Sequence, residues 1–132
     1  MTLTAATFPS NLQVPVVDRK TRWIVVQVGD DGTLFVEPGT LRLDPNWIGD
    51  IVWYVFTKGY SFPEENAVVF PSGSGFTGTP LPDPSRPGCW STAATNNDFT
   101  TSPQSFSYSL TVLKADGTSI SGDPVIENEP VP

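Results

Sequence analysis

Histidine is absent from this chain, and cysteine occurs only once, as Cys89. The absence of histidine removes the commonest general base, the serine and cysteine hydrolase triads and most transition-metal sites. A single cysteine excludes an internal disulfide, and we interpret Cys89 as a small thiol packed beside Trp90 rather than as a nucleophile. No glycine-rich phosphate motif is present, so any enzyme chemistry would depend on carboxylates. We therefore predict a protein that is not an enzyme and has no cofactor or metal.

Basic residues are scarce, with 7 Lys and Arg against 14 Asp and Glu and a formal net charge of −7. The main basic cluster is Arg19, Lys20 and Arg22. A nucleic-acid binder needs an extended basic face, so we predict no nucleic-acid partner. Residues 115–132 carry four carboxylates and no Lys or Arg. This acidic end and the basic cluster can attract each other, within one chain or between two.

Long apolar runs are also missing. None approaches the roughly 18 residues that a membrane-spanning helix needs, so we predict no membrane partner. Residues 1–17 contain no Lys or Arg, and they lack the apolar core of a secretory signal. We therefore predict a cytoplasmic location, although a fragment of a larger or exported protein would have the same features.

Proline and glycine are frequent, with 14 and 11 residues, and short strand patterns recur between them. Residues 50–56 form the most apolar segment, which predicts a strand covered on both faces. Residues 105–113 alternate between apolar and polar side chains, which predicts a half-buried strand, and Asp116-Gly117 predicts the turn after it. The predicted strands cover residues 12–17, 22–28, 33–37, 40–43, 50–56, 66–70, 88–93, 105–113, 118–121 and 123–128.

These segments predict an all-β fold, namely a two-sheet antiparallel β-sandwich of immunoglobulin-like or cupredoxin-like type with about 8–10 short strands. We expect a single domain over residues 1–132. Residues 71–104 contain few periodic positions and read as a long irregular loop region. A loop of that length either hides one or two short strands or is functional.

Aromatic residues make up 11% of the chain and supply the candidate binding residues. Trp23 and Trp53 lie inside predicted strands, so we expect both in the core. Aromatic side chains on or beside loops can form a sugar-stacking or protein-docking platform, and the alternative is that they pack the loops onto the sandwich. The candidate binding residues are Trp47, Tyr60, Phe62 and Trp90, and the segments 60–63 and 89–90 are the first that we expect to be exposed.

The acidic residues mostly adjoin Gly, Pro or another turn former, so we interpret them as turn residues. Two carboxylates at a suitable distance would support glycoside hydrolysis. Calcium is a further alternative, because Asp30-Asp31 and residues 123–129 offer oxygen ligands, although neither matches a fixed ligand spacing.

Two segments resemble known families. Residues 49–56 (GDIVWYVF), preceded by Leu41-Arg42-Leu43, resemble the Gly-Asp-x-Val-x-Trp strand of cupredoxin-like sandwiches. That family's copper site needs two histidines and a cysteine, so the resemblance implies the fold without the metal. Residues 123–130 (DPVIENEP) resemble the signature of the DP-EP family of small bacterial proteins, with Asp123-Pro124 and Glu129-Pro130 at the matching positions. This resemblance implies a bacterial source and fixes no activity.

Together these features favour a non-enzymatic β-sandwich that binds a protein partner or itself through a loop end or an exposed sheet edge. A homo-oligomer is the form of self-association that we expect. The alternative is a carbohydrate-binding module that uses the loop aromatics. A carboxylate-based hydrolase is the third reading.

Overall fold

A computed structural model describes residues 20–45, 47–71, 78–96 and 104–129. Within those ranges the chain forms strands and no helix, so the all-β prediction is confirmed. The predicted strand at 12–17 lies outside the described residues. None of the described residues belongs to a helix long and apolar enough to cross a membrane.

The strands are β1 (Lys20–Val28), β2 (Leu34–Glu37), β3 (Thr40–Leu43), β4 (Ile48–Val55), β5 (Tyr60–Ser61), β6 (Val68–Val69), β7 (Leu81–Pro82), β8 (Trp90–Thr95), β9 (Gln104–Ser107), β10 (Ser109–Lys114), β11 (Ser119–Gly122) and β12 (Val125–Asn128).

The first sheet has the strand order β2-β1-β4-β8-β7. Its central pair, β1 and β4, runs parallel, with Lys20 beside Gly49 and Val26 beside Val55. The purely antiparallel sandwich that the sequence predicts is therefore wrong at this pair and also at β3 and β12, which run parallel. Between β1 and β4 the chain forms β2 and then β3, which pairs with β12 in the other sheet. A connection that leaves the sheet and returns brings β4 back in the same direction as β1.

The remaining strands form two paired groups, β11-β10-β5 with β6 on β10 and β3-β12-β9. One long hairpin joins the two groups, and we call them together the second sheet. β9 and β10 pair with β12 and β11 in a single register, from Gln104 opposite Asn128 to Leu113 opposite Ser119. At the break between the paired segments, the Tyr108 N–H donates to the Pro124 carbonyl at 2.9 Å, so the hairpin is continuous. β3 flanks β12, and the two short strands β5 and β6 flank β10.

The core lies between the two sheets and confirms both of the clearest strand predictions. β4 is covered on both faces, since consecutive side chains from Ile51 to Trp53 are fully buried. In the hairpin, Tyr108, Leu110 and Val112 are buried, while Ser109 between them is exposed and Thr111 is partly buried. The Trp53 Nε1–H donates to Tyr108 Oη at 3.1 Å, with the two rings edge to face at 5.7 Å. This pair joins the centres of the two sheets.

A buried amide closes one end of the sandwich. Asn96 follows β8 and is 2% exposed. Its Nδ2 group donates to the carbonyl oxygens of Leu43 and Asp44 at 2.9 Å and of Glu129 at 2.8 Å. Because Leu43 ends β3 and Glu129 follows β12, one side chain connects the first sheet to two strands of the second.

Several strand boundaries differ from the predicted ones for local reasons. The strand predicted at 88–93 begins only at Trp90, because Gly88 has a φ of 78° and the Cys89 N–H closes a turn onto the Arg86 carbonyl. The strand predicted at 66–70 is reduced to β6, because Asn66 has a left-handed φ of 60°. The region 71–104 does contain two described strands, β7 and β8.

Candidate functional site

An apolar groove lies on one side of the sandwich, beside strands that are at the sheet edges among the described residues. We call it the edge groove. It lies between β7, the last strand of the first sheet, and β6, which pairs with β10 in the second. Its volume is about 620 Å³, within the usual range for a ligand pocket. It is larger and more enclosed than a second concavity, which Leu34, Val36 and residues 121–124 help to line.

The two walls each expose one large aliphatic side chain. On the β7 wall, Leu81 is 59% exposed and stands between Pro80 and Pro82. A proline has no N–H to give to a further strand, which suits β7 to the edge of its sheet. On the other wall, side chains alternate along β6, so that Val68 is buried while Val69 is exposed. Both walls therefore offer apolar surface to a bound molecule.

Aromatic rings form the floor of the edge groove. Phe70 lines it and packs edge to face against Trp53 at 6.0 Å and against Tyr108 at 5.9 Å. Trp90 also lines it, at the start of β8. Since these rings continue into the hydrophobic core, the floor is held by the core packing and is preformed.

The rim carries only negative charge. Glu64 and Glu65 line the groove and are exposed, and no Lys or Arg is among its described lining residues. The left-handed backbone of Asn66 turns the chain from this acidic pair into β6. The groove therefore combines apolar walls with two carboxylates, on a protein whose net charge is −7.

Glycine is required on the β7 wall at Gly78. A Cβ at that position would collide with the carbonyl oxygen of Ala93 and with Thr92 Oγ1, so the chain packs directly on β8 before it reaches Leu81. Close backbone approach of this kind is possible only for glycine. The contact of Gly78 with β8 thus sets the position at which the β7 wall of the groove starts.

The loop after β7 contains a buried ion pair. Arg86 donates to Asp83 Oδ2 at 2.8 Å, and its guanidinium lies 5.7 Å from the Trp23 ring centroid. Burial would raise the pKa of Asp83, but hydrogen bonds from Arg86, Ser85 and Ser91 outweigh it and hold the pKa below its ordinary value. Asp83 is therefore ionised at neutral pH, the opposite of what a general acid needs.

Cys89 lies in the same loop and is buried, in agreement with its interpretation as a small core thiol. Burial, together with the nearby Asp83 charge, raises its pKa to about 11, while Arg86 acts in the opposite direction. A thiol with that pKa is protonated at neutral pH and is a poor nucleophile.

Cys89 gives a pH prediction. Because its folded pKa is about 11 and its ordinary value is 9.0, the folded state keeps the proton longer than the unfolded state. The contribution of the protonated thiol to the free energy of unfolding is therefore fully present below pH 9. It is lost as the pH rises towards 11, and the total loss in the free energy of unfolding is about 2–3 kcal/mol. Urea unfolding at pH 7 to 11 measures this. Tyrosines ionise in the same range, so the difference from Cys89→Ala isolates the thiol; parallel curves for the two proteins would contradict the prediction.

The structure buries two of the four candidate binding residues. Trp90 is 5% exposed, so its expected exposure is wrong, and Trp47 is 2% exposed and offers no ring face to solvent. Trp47 is buried because its N–H closes a turn onto the Asp44 carbonyl and its own carbonyl accepts from the Asn96 N–H. Tyr60 and Phe62 are partly buried and pack against the core. Of the four, only Trp90 lines the edge groove.

Trp23, expected in the core, is half-buried beneath Arg86. Sequence reasoning missed Leu81, Val69 and the acidic pair Glu64-Glu65. The one signal that could have found them is the pattern Pro80-Leu81-Pro82, an apolar residue held between two prolines within a polar region.

Carboxylates do not gather into a metal site in the part of the chain that the structure describes. No three His, Cys, Asp or Glu side chains there are close enough to hold an ion. Asp31 instead accepts a hydrogen bond from the Thr33 N–H at 3.0 Å, and Asp116 accepts one from Thr118 at 2.9 Å. Both are turn residues, as their sequence neighbours indicate.

Comparison with known proteins adds no family. No protein-family model matches the chain, and no curated protein sequence matches it. The resemblance to the DP-EP family, carried by residues 123–130, the hairpin that precedes them and the chain length, stays a prediction.

Proposed function

We propose that this protein is a non-enzymatic binding module that holds an extended, cationic segment of a protein partner in the edge groove. The observation that carries the proposal is the groove itself. It has a volume of about 620 Å³, its walls carry the exposed side chains Leu81 and Val69, and its lining includes the acidic pair Glu64-Glu65.

The chemistry of the lining selects the class of partner. Apolar walls favour aliphatic or aromatic side chains, which gain free energy as they leave water. The acidic rim favours a neighbouring Lys or Arg and repels anions, because no described lining residue is basic. These preferences support a segment with apolar residues followed by positive charge, and they disfavour phosphates, nucleic acids and acidic peptides.

The shape favours a peptide over a sugar. A stacked sugar needs an aromatic ring face in solvent, and the only tryptophan that lines the groove is 5% exposed. By contrast, the groove lies between β7 and β6, and an extended peptide can place its side chains against both walls without forming a further strand on β7. The carbohydrate alternative thus loses its stacking platform at Trp47 and Trp90.

A random dodecapeptide library displayed on phage tests the proposal. We expect selection on the wild-type protein to enrich peptides in which apolar residues adjoin Lys or Arg. A synthetic copy of an enriched peptide should bind the Leu81→Asp variant at least tenfold more weakly, because the new carboxylate interrupts the apolar wall.

Phe35→Asp is the matched control. Phe35 is 58% exposed against 59% for Leu81, and it lies in β2 at the opposite edge of the first sheet. The same substitution there should leave peptide binding unchanged. The proposal fails if no peptide is enriched, or if both variants bind the enriched peptide as well as the wild type.

A further inference from the structure

A second binding site lies at the opposite end of the first sheet from the edge groove. We propose that β2 accepts an extended, basic segment of a protein partner as an additional strand. The site comprises the side of β2 that faces away from β1 together with the concavity beside it, and we call it the β2 edge site. The proposal does not depend on the function of the edge groove.

The hydrogen bonds of β2 show which of its backbone groups are open. The Gly29 N–H donates to the Thr33 carbonyl at 2.8 Å, so Thr33 and every second residue after it face β1. Because successive residues of a strand direct their backbone groups to opposite sides, the N–H and C=O groups of Leu34 and Val36 face away from β1. These groups make no hydrogen bond to another described residue. A partner strand can therefore pair with both residues.

The edge of β7 lacks this property, although β7 also lies at an end of the first sheet. The Asp83 N–H donates to the Cys89 carbonyl at 2.9 Å, so Asp83 and every second residue before it face β8. The residues that face away are Pro80 and Pro82. A proline has no N–H, so this edge offers acceptors without donors. Of the two ends of the first sheet, β2 is therefore the one that can pair with a further strand.

A concavity of about 450 Å³ beside β2 can receive side chains of the added strand. Leu34 and Val36 line it on one side, and residues 121–124 line it at the corner between β11 and β12. β11 packs closely on β2 there, since a Cβ on Gly122 would lie 2.9 Å from Leu34 Cδ2. Side chains alternate along a strand, so those on the inner face of the added strand enter this concavity.

The outer face of β2 selects the other side chains of the partner. Phe35 is 58% exposed there and can pack against an aromatic or β-branched residue of the added strand. Glu37 is exposed on the same face, and Asp123 is the charged residue in the described lining of the concavity. These carboxylates favour Lys or Arg in the partner, because no described lining residue is basic.

β11 also has an open edge, but that edge offers less to a partner. The Lys114 N–H donates to the Thr118 carbonyl at 2.8 Å, so Ser119 and Ser121 face away from β10. The side chains of both serines are exposed, and β11 exposes no large apolar residue. Strand addition there would bury less apolar surface than strand addition at β2.

A second copy of the chain is a poor occupant of the β2 edge site. Two β2 strands that paired about a two-fold axis would bring together two proteins with a net charge of −7. Residues 29–38 contain three carboxylates and no Lys or Arg, so the contact would add repulsion without a compensating positive charge. The partner is therefore a basic segment of another protein.

Phage selection on the Leu81→Asp variant tests the β2 edge site, because that substitution disrupts the edge groove. We expect enrichment of peptides in which β-branched or aromatic residues alternate with Lys or Arg. A synthetic copy should bind the wild type and Leu81→Asp equally well. It should bind Phe35→Lys at least tenfold more weakly, since that variant loses the ring and repels the basic residues. Ile48→Lys is the matched control, because Ile48 is 55% exposed and lies in β4, and binding should not change there.

Methylation of the peptide's backbone nitrogens distinguishes strand pairing from other contacts. Two versions of the peptide carry N-methyl groups, one at the odd residues and one at the even residues. Since alternate N–H groups of a strand face the same side, one version should bind at least tenfold more weakly and the other should bind like the unmodified peptide.

Hydrogen exchange measured by NMR examines the same pairing on the protein. In the free protein, the Leu34 and Val36 amides should exchange at least tenfold faster than the Phe35 and Glu37 amides, which face β1. Bound peptide should slow the Leu34 and Val36 amides at least tenfold.

Four results would overturn the proposal. They are a lack of enriched peptides on Leu81→Asp, equal binding of the two methylated versions, slow exchange of the Leu34 and Val36 amides in the free protein, and a wild-type dimer in sedimentation velocity that Phe35→Lys dissociates. The last result would mean that a second copy occupies β2. Because the peptides are selected on a variant with a disrupted groove, none of these results changes the proposed function of the edge groove.

Discussion

Replacement of Asn96 by aspartate is expected to lower the free energy of unfolding by roughly 3–5 kcal/mol at neutral pH, the range for an uncompensated buried charge. The substitution barely changes the shape of the side chain. It replaces the Nδ2 donor, which serves the carbonyl oxygens of Leu43, Asp44 and Glu129, with an acceptor. A carboxylate would then face three carbonyl oxygens in a site that is 2% exposed.

Urea unfolding at neutral and at mildly acidic pH measures this effect. A carboxyl in that site should have a raised pKa, because burial and the carbonyl oxygens both disfavour its charge. The loss should therefore shrink as the pH falls and the protonated group donates one hydrogen bond. Asn66→Asp is the control, since Asn66 is exposed and we expect a change within about 0.5 kcal/mol there. An Asn96→Asp variant as stable as Asn66→Asp would mean that the amide does not hold the sheets together.

The parts of the fold that the sequence predicts are those with local signals. The alternation over 105–113 and the Asp116-Gly117 turn together predict the hairpin of β10 and β11, because both depend only on neighbouring residues. The apolar run at β4 likewise predicts a strand that is buried on both faces.

The features that escaped prediction depend on distant contacts. The parallel pairing of β1 with β4 requires β3 to cross to the other sheet, and nothing in either strand indicates the direction of its neighbour. The role of Asn96 requires the ends of β3 and β12 to arrive at the same place. The edge groove combines residues from the β5–β6 connection with the Pro80-Leu81-Pro82 segment, which lie in different sheets.

The burial of aromatic residues also depends on distant contacts that the local sequence does not indicate. The sequence distinguishes strand from loop, and an aromatic residue in a loop is predicted to be more exposed than one in a strand. Trp47 precedes β4 and is nevertheless buried, because a turn folds it back against the sandwich. Burial of a large ring contributes enough free energy that the ring packs inward even when it lies in a loop. A prediction from loop position alone therefore overestimates the exposed aromatic surface.

Truncation of Trp53 to alanine is expected to lower the free energy of unfolding by about 3–5 kcal/mol, the usual range for the loss of a large core aromatic residue. Trp53 is fully buried in β4 and packs edge to face against Phe70 and Tyr108. Its removal leaves a cavity between the two sheets, and it also removes the Nε1–H donor from Tyr108 Oη. Both losses act at the point where the two sheets are joined.

Urea unfolding followed by circular dichroism checks this loss, with Phe35→Ala as the matched control. Phe35 is 58% exposed, so its truncation should change the free energy of unfolding by less than about 1 kcal/mol. Trp53→Phe keeps an aromatic ring without the N–H donor, and we expect a loss between those of Trp53→Ala and Phe35→Ala. Equal losses for Trp53→Ala and Phe35→Ala would contradict the assignment of Trp53 to the centre of the core. The edge groove would then lose the support of its floor as well, because Phe70 is held in place by packing against Trp53.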